Sequence, residues 1–293
     1  MKLYSIIIII LISILVILIV FHEKKYKKHV YEFNHKLKNK INSIQSINNN
    51  KINFPILYIN LEKSKDREIN ILNEFKKYNI TNFKRINGVY GNNYNFYKDD
   101  IGDFKFVNNF SDKKFTKSEL GCTLSHIKAI KYAYENKLGT VLILEDDVSF
   151  DLLPLWENSL KEITQMISND WRIIQLINLV CGIDDTIFYV KNKICYSTAA
   201  YLINTEGQKK MIDLFQNNTI ILDKDVLKNV SKLNADDFIY PQIQNFYTLT
   251  LPLFFQNNTE LNSTIHTQDT FGHIKRSNEI MYKYINKFTM EKL

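Results

Sequence analysis

The sequence predicts an α/β fold: a mostly parallel sheet flanked by helices. Three observations carry it. Residues 54–60, 61–78 and 83–86 read in turn as strand, helix and strand, a β-α-β unit. Residues 119–136 repeat apolar side chains at helical spacing and lead, past Gly139, straight into the branched apolar run Val141-Leu142-Ile143-Leu144. That run ends in three adjacent carboxylates, Glu145, Asp146 and Asp147. An unbroken branched run marks a strand buried on both faces. Acids at its C-terminal end fall where α/β sheets hold ligands, in the crevice beyond the strand ends. Carboxylates this close repel one another unless a cation or a strongly polar cleft relieves them. A plainer reading, an acidic solvent-facing turn, accounts for an Asp-Asp pair alone equally well.

The elements follow in order. Ile69, Leu72, Phe75 and Tyr78 are spaced for one face of the helix at 61–78. Residues 88–118 are aromatic, charged and rich in turn formers, and predict irregular structure. In the helix at 119–136 the repeating positions are Leu120, Leu124, Ile127, Ile130, Ala133 and Tyr134. A further helix is expected at 152–168 and a strand at 171–176. Residues 196–203 read as a strand leading into a helix at 206–215, and 217–231 as a polar loop. Asp236 and Asp237, ahead of Phe238-Ile239-Tyr240, make a second acidic site, and 247–251 a late strand before Pro252.

Residues 3–21 carry no charge and are almost wholly Ile and Leu. At 1.5 Å per residue they cover about 28 Å, enough to cross a hydrocarbon core. No small-residue cleavage site follows, so the segment is expected to be an uncleaved transmembrane anchor, making the chain a single-pass membrane protein that contacts lipid through this helix. The expected organisation is a two-residue tip, the anchor at 3–21, a Lys- and Asn-rich stalk at 22–53, and a folded domain at 54–293. Lys24, Lys25, Lys27 and Lys28 favour a cytoplasmic folded domain, whereas Asn-X-Ser/Thr triplets such as those at Asn79 and Asn229 suit a lumenal one. The side of the membrane is left open. A net charge of +7 fits a surface that attracts anions. No zinc finger or RNP-like strand is present, so no nucleic-acid partner is expected. Cys122, Cys181 and Cys195 form neither a metal quartet nor a disulfide framework and are read as buried small hydrophobes.

The order of motifs from about Phe54 to about Ile265 resembles glycosyltransferase family 25, the group of lipopolysaccharide glycosyltransferases and procollagen galactosyltransferase domains. Tyr58-Ile59-Asn60-Leu61 with Lys65-Asp66-Arg67 is similar to the family's opening block, and Phe83 to Gly91 to its next. Glu119-Leu120-Gly121-Cys122-Thr123-Leu124-Ser125-His126 is similar to its "E.GC..SH" helix, and Leu142 to Val148 to its "LILEDD" strand. Tyr196 to Ile203 and Asp236-Asp237 complete the series. Two positions depart from the pattern. Tyr90 stands where the family usually has Asp, which puts donor choice in question, and Ser197 where it commonly has Gly.

The resemblance implies a GT-A-like (Rossmann-like) fold, a nucleotide-sugar donor, usually a UDP-hexose such as UDP-galactose or UDP-glucose, and inverting transfer to a glycan or hydroxylated protein. Departure of a diphosphate needs its growing charge neutralised, and Mn²⁺ or Mg²⁺ held by carboxylates supplies that. Asp147 is the first candidate ligand and Asp146 the second, with Glu145 a ligand or ribose contact. Inversion also needs a base for the acceptor hydroxyl; Asp237 is the candidate and Asp236 the alternate. Asn60, Arg67 and His126 are expected to bind the donor. Each also suits a structural role, Asn60 as a helix cap, Arg67 in a surface ion pair and His126 in packing. The competing expectation is a non-catalytic, membrane-tethered carbohydrate-binding protein that keeps the fold.

Overall fold

The computed structural model describes residues 51–93, 104–106, 116–156, 158–177, 188–216, 219–222 and 233–256. All lie in one compact unit, Asn48–Leu293. The strands are β1 (Ile56–Asn60), β2 (Phe83–Asn87), β3 (Phe104–Phe106), β4 (Val141–Glu145), β5 (Val148–Ser149), β6 (Ile173–Gln175), β7 (Tyr189–Lys191), β8 (Ala200–Ile203), β9 (Phe215–Gln216), β10 (Thr219–Leu222), β11 (Phe246–Leu249) and β12 (Phe255–Gln256). The α-helices are α1 (Lys65–Lys77), α2 (Lys117–Glu135), α3 (Leu160–Met166), α4 (Thr205–Ile212) and α5 (Ala235–Ile243).

The main sheet runs β2-β1-β4-β8-β6-β11-β7. β1 pairs in parallel with both β2 and β4, and β6 with β11. β8 lies antiparallel between β4 and β6, and β7 antiparallel on the edge beside β11. The sheet is therefore mixed and mostly parallel. From β1 the chain moves outward to β2, then returns to place β4 on the other side of β1. The crevice beyond the C-terminal ends of β1 and β4 is thus a topological switch point, the usual ligand position in such sheets.

Alternation along β1 feeds two cores. Leu57 and Ile59 join Ile143, Tyr201 and Ile203 under α2 and α5. Tyr58 packs edge-on to Phe75 and Phe83, within a run of ring contacts that continues through Phe150 and Phe254 to Trp156. Every residue of β1 is buried, as a strand covered on both faces requires. α2 begins with a capping box, in which Thr116 accepts from the Glu119 backbone and Glu119 accepts from the Thr116 backbone. α3 opens the same way with Ser159 and Glu162.

Several expectations need correction. The buried face of α1 is Ile71, Phe75 and Tyr78, whereas Ile69 is 56% exposed. Phe75 and Tyr78 fix that face, and the position one turn before Phe75 is Ile71. The helix expected at 152–168 is a 3-10 turn, Leu153–Leu155, followed by the short α3. The region read as irregular supplies β3, which pairs in parallel with β10 from the region read as a loop. Cys195 is buried but disulfide-bonded rather than a lone hydrophobe.

The membrane reading is also corrected. No helix among the described residues is long and apolar enough to cross a membrane. The transmembrane helix, the lipid partner and the single-pass localisation all rested on residues 3–21, which lie outside the described residues together with most of the expected stalk.

Candidate active site

At the switch point lies an open cleft of about 550 Å³, lined by Ile59, Leu61, Arg67, Val89, Tyr90, Gly91, Ser118, Cys122, Ser125, His126, Glu145 and Asp146. Its floor comes from the ends of β1 and β4, where Ile59 stands opposite Glu145 in parallel register. Its wall is α2 and the loop after β2. That loop fits against the helix because two glycines let the backbones meet. A Cβ on Gly121 would lie 2.7 Å from Val89 O, and one on Gly91 would strike the Lys117 carbonyl. Ser125 Oγ accepts from Val89 N at 2.8 Å and donates to Gly121 O at 2.6 Å, locking the loop in place.

Asp146 and Asp147 turn off the end of β4 toward Arg67 in the first turn of α1. One guanidinium nitrogen, Arg67 Nη2, lies 2.5 Å from Asp146 Oδ1 and 2.7 Å from Asp147 Oδ2. Asn60 Nδ2 donates to Asp146 Oδ2 at 2.7 Å and to Ser64 O at 3.0 Å, while its Oδ1 accepts from Arg85 Nε and Nη2. The Asn60 amide is thereby spent on protein partners and aims Asp146. Glu145 Oε1 meets His126 Nε2 at 3.3 Å and accepts from Thr198 Oγ1 at 3.1 Å. The other ring nitrogen, His126 Nδ1, lies 3.2 Å from the Tyr201 hydroxyl.

Burial pushes the Asp146 carboxyl up to about 7, with the neighbouring Asp147 and Glu145 charges adding to the shift against Arg67 and Asn60. Burial also raises Asp147, opposed by Arg67. Glu145 goes the other way: burial resists, but the His126 hydrogen bond and charge, Arg67 and Thr198 together hold it below the usual value. Burial drives the Cys122 thiol well up, helped by the charges of Glu145, Asp236 and Asp147.

Cys122 Sγ, a ring nitrogen of His126 and a Glu145 oxygen lie within 4.8 Å of one another, so this trio could coordinate a divalent metal. Asp147 Oδ1 is buried without a hydrogen-bond partner among the described residues, an acceptor able to take a donor or a cation. Cys122 is the weak member, since metal binding needs the thiolate and its surroundings disfavour that charge. What remains, carboxylate oxygens with one imidazole, fits a hard ion such as Mn²⁺ or Mg²⁺.

Asp236 and Asp237 stand in the first turn of α5, both buried. Asp236 accepts from Asn234 Nδ2, Asp237 N and Ser197 N. Ser197, at φ +83°, occupies a conformation that favours glycine, and its carbonyl accepts from Tyr240 and Gln175. Asp236 therefore pins the turn that presents Thr198 to Glu145. The Asp237 carboxylate accepts no hydrogen bond from the described residues, leaving it the freer of the two.

The structure thus brings Asn60, Arg67, His126, Glu145, Asp146 and Asp147 together at one strand-end cleft. Tyr90 lines it as well, with Lys63 Nζ 3.3 Å from the ring centroid. Sequence reasoning missed Cys122 and Thr198. The signal for Cys122 was its position four residues before His126, which puts both on one helix face; nothing local marked Thr198.

A cleft with clustered carboxylates at the switch point of a mostly parallel sheet places this chain among α/β proteins with a ligand crevice beyond the strand ends. Residues 53–227 match the family model described as glycosyltransferase family 25 (LPS biosynthesis protein), and the chain belongs to that family. It is 25% identical over 171 residues to procollagen galactosyltransferase 2 of Mus musculus, covering 54% of this chain and 27% of that protein. It is also 25% identical over 172 residues to procollagen galactosyltransferase 1-A of Xenopus laevis, covering 54% and 28%. The matches therefore span little more than a quarter of these relatives' length. A crystal structure of a glycosyltransferase involved in glycosylation of the major capsid of PBCV-1 aligns over 78% of this chain and 98% of its own, at 10% identity and a TM-score of 0.29.

Proposed function

We propose that this chain transfers a hexose, galactose or glucose, from a UDP-sugar to a glycan or hydroxylated protein acceptor, inverting the anomeric carbon and using Mn²⁺ or Mg²⁺. The observation that carries the reading is the gathering of Arg67, His126, Glu145, Asp146 and Asp147 at one cleft in a member of a glycosyltransferase family. The names of the procollagen relatives favour galactose and a protein acceptor.

When bound, the cation would neutralise the charge growing on the departing diphosphate. Asp147 and Asp146 would hold it, Asp146 aimed by Asn60, with Glu145 and His126 beside them. Arg67, whose buried Nε has no hydrogen-bond partner among the described residues, would meet phosphate oxygens. Tyr90 would border the nucleoside, where a ring in place of the family's carboxylate exchanges a hydrogen-bond acceptor for a stacking surface. Asp237 would take the proton from the acceptor hydroxyl as it attacks. Asp236 would serve as a positioning residue, through Ser197 and Thr198, for Glu145.

The test is a panel of UDP-, GDP- and CMP-sugars offered to the full-length chain with and without Mn²⁺. UDP-hexose turnover that needs divalent metal is the expected result. Asp147→Asn should lower kcat/KM by about 10²–10³-fold, the range for losing one preorganised electrostatic contact. Turnover that survives complete removal of divalent metal would sink the metal role. Acceptor binding with no transfer from any donor would leave only a carbohydrate-binding protein.

A further inference from the structure

We infer that Arg67 is an internal counter-ion standing where the metal belongs, so that a divalent cation and the donor's diphosphate must enter together. The inference rests on the reading of this cleft as a nucleotide-sugar site. Its basis is geometric. A single nitrogen, Arg67 Nη2, lies within 2.7 Å of one oxygen from each of Asp146 and Asp147. Those oxygens are therefore no more than about 5.2 Å apart; an ion bound to both at the usual length of about 2.1 Å needs them within about 4.2 Å, and to reach both it competes with Nη2 for the same two oxygens. The guanidinium and the cation cannot both bridge the pair.

Charge supports the same conclusion. Arg67 is 13% exposed, with two carboxylates against it and Glu145 adding to its hold on the proton. Removing it with nothing in exchange would leave buried carboxylates unpaired, and bringing a dication beside it would set like charges together. Both penalties vanish if the guanidinium moves to a new anion as the metal arrives. A diphosphate is such an anion, because planar guanidinium binds phosphate oxygens through paired donors. Arg67 Nε, buried without a hydrogen-bond partner among the described residues, is a donor available for that exchange. The bond changes balance: two Arg67–carboxylate contacts are lost, and carboxylate–metal and Arg67–phosphate contacts form. Metal and diphosphate then strengthen each other beyond their direct contact, and by linkage the effect is reciprocal.

The experiment measures Mn²⁺ binding to the full-length protein by the loss of the free-ion electron paramagnetic resonance signal, with and without UDP. Wild type is expected to bind Mn²⁺ weakly alone and at least about tenfold more tightly with UDP, within the usual span of coupling factors. Arg67→Met should bind Mn²⁺ alone about tenfold more tightly than wild type, and UDP should add less. A residue that only bound phosphate, or only supported the fold, would not raise metal affinity in the absence of nucleotide. Arg67→Lys keeps the charge and guards against misfolding; its point charge reaches one carboxylate in place of two, so its Mn²⁺ affinity should fall between the others. Mn²⁺ affinity in both variants at or below that of wild type overturns the inference while leaving the proposed function standing. Wild type that binds neither Mn²⁺ nor UDP overturns both.

Discussion

Asn60 shows how much of this site is spent on holding itself together. Its amide gives two hydrogen bonds and takes two, joining β1, α1, β2 and Asp146. Asn60→Ala should cost about 1–3 kcal/mol, the penalty for leaving buried partners unsatisfied, read as a drop in the urea midpoint. Asp237 is the opposite case, a buried carboxylate with no described partner. Asp237→Asn should lower kcat by about 10²–10⁴-fold with little change in KM, as loss of a general base predicts; a change confined to KM would assign it to acceptor binding. Glu74 offers a cleaner test of electrostatics because it is remote from the cleft. It accepts from Phe150 N, and burial, with Asp151 nearby, raises its pKa above 4.5. Its proton is then held in the folded state after the unfolded chain has released it. The stability Glu74 contributes is complete below pH 4.5 and is lost as pH rises through the elevated folded value. Glu74→Gln, which keeps the acceptor, should flatten that decline in thermal melts taken across this window.

At the scale of elements, α2 does more than cover the sheet. It presents Cys122 and His126 to the cleft on one face while Gly121 and Ser125 grip the loop that carries Tyr90. Thr116→Ala removes the cap and should cost about 1 kcal/mol. Gly121→Ala forces a methyl toward Val89 O and the Gly91 backbone and should cost about 1–3 kcal/mol by overpacking. The two separate by function: the cap variant should melt earlier with nucleotide affinity intact, whereas the glycine variant should also lose UDP affinity as the loop shifts. The existence of α2 and of its apolar stripe was legible from the sequence, since Leu120, Leu124, Ile127, Ile130 and Ala133, read at helical spacing, are all buried. For α1 the period was legible but not the phase. Ile69 and Ile71 are equally apolar, and only the seats of Phe75 and Tyr78 against Phe150 choose between them.

Across the whole molecule, the cleft joins the ends of β1 and β4 to α1 and α2, elements far apart in sequence. Ligands that bind there should tie the described unit together. At concentrations a hundredfold above Kd, UDP with Mn²⁺ should add about 2.7 kcal/mol of stability, visible as a rise in Tm that either alone does not reproduce. The sequence by itself determined the α/β class, the acidic strand end and the family motifs, because apolar periodicity and short spacings are local properties of the chain. It also singled out Arg67, His126, Glu145 and Asp146, which line the cleft. Only the tertiary structure decided that β8 lies antiparallel between β4 and β6, that Asp236 supports a turn while Asp237 takes no hydrogen bond from the described residues, and that one Arg67 nitrogen bridges Asp146 and Asp147. These depend on which groups meet across long stretches of chain, and in a buried cleft the role of a charge is set by its neighbours in space.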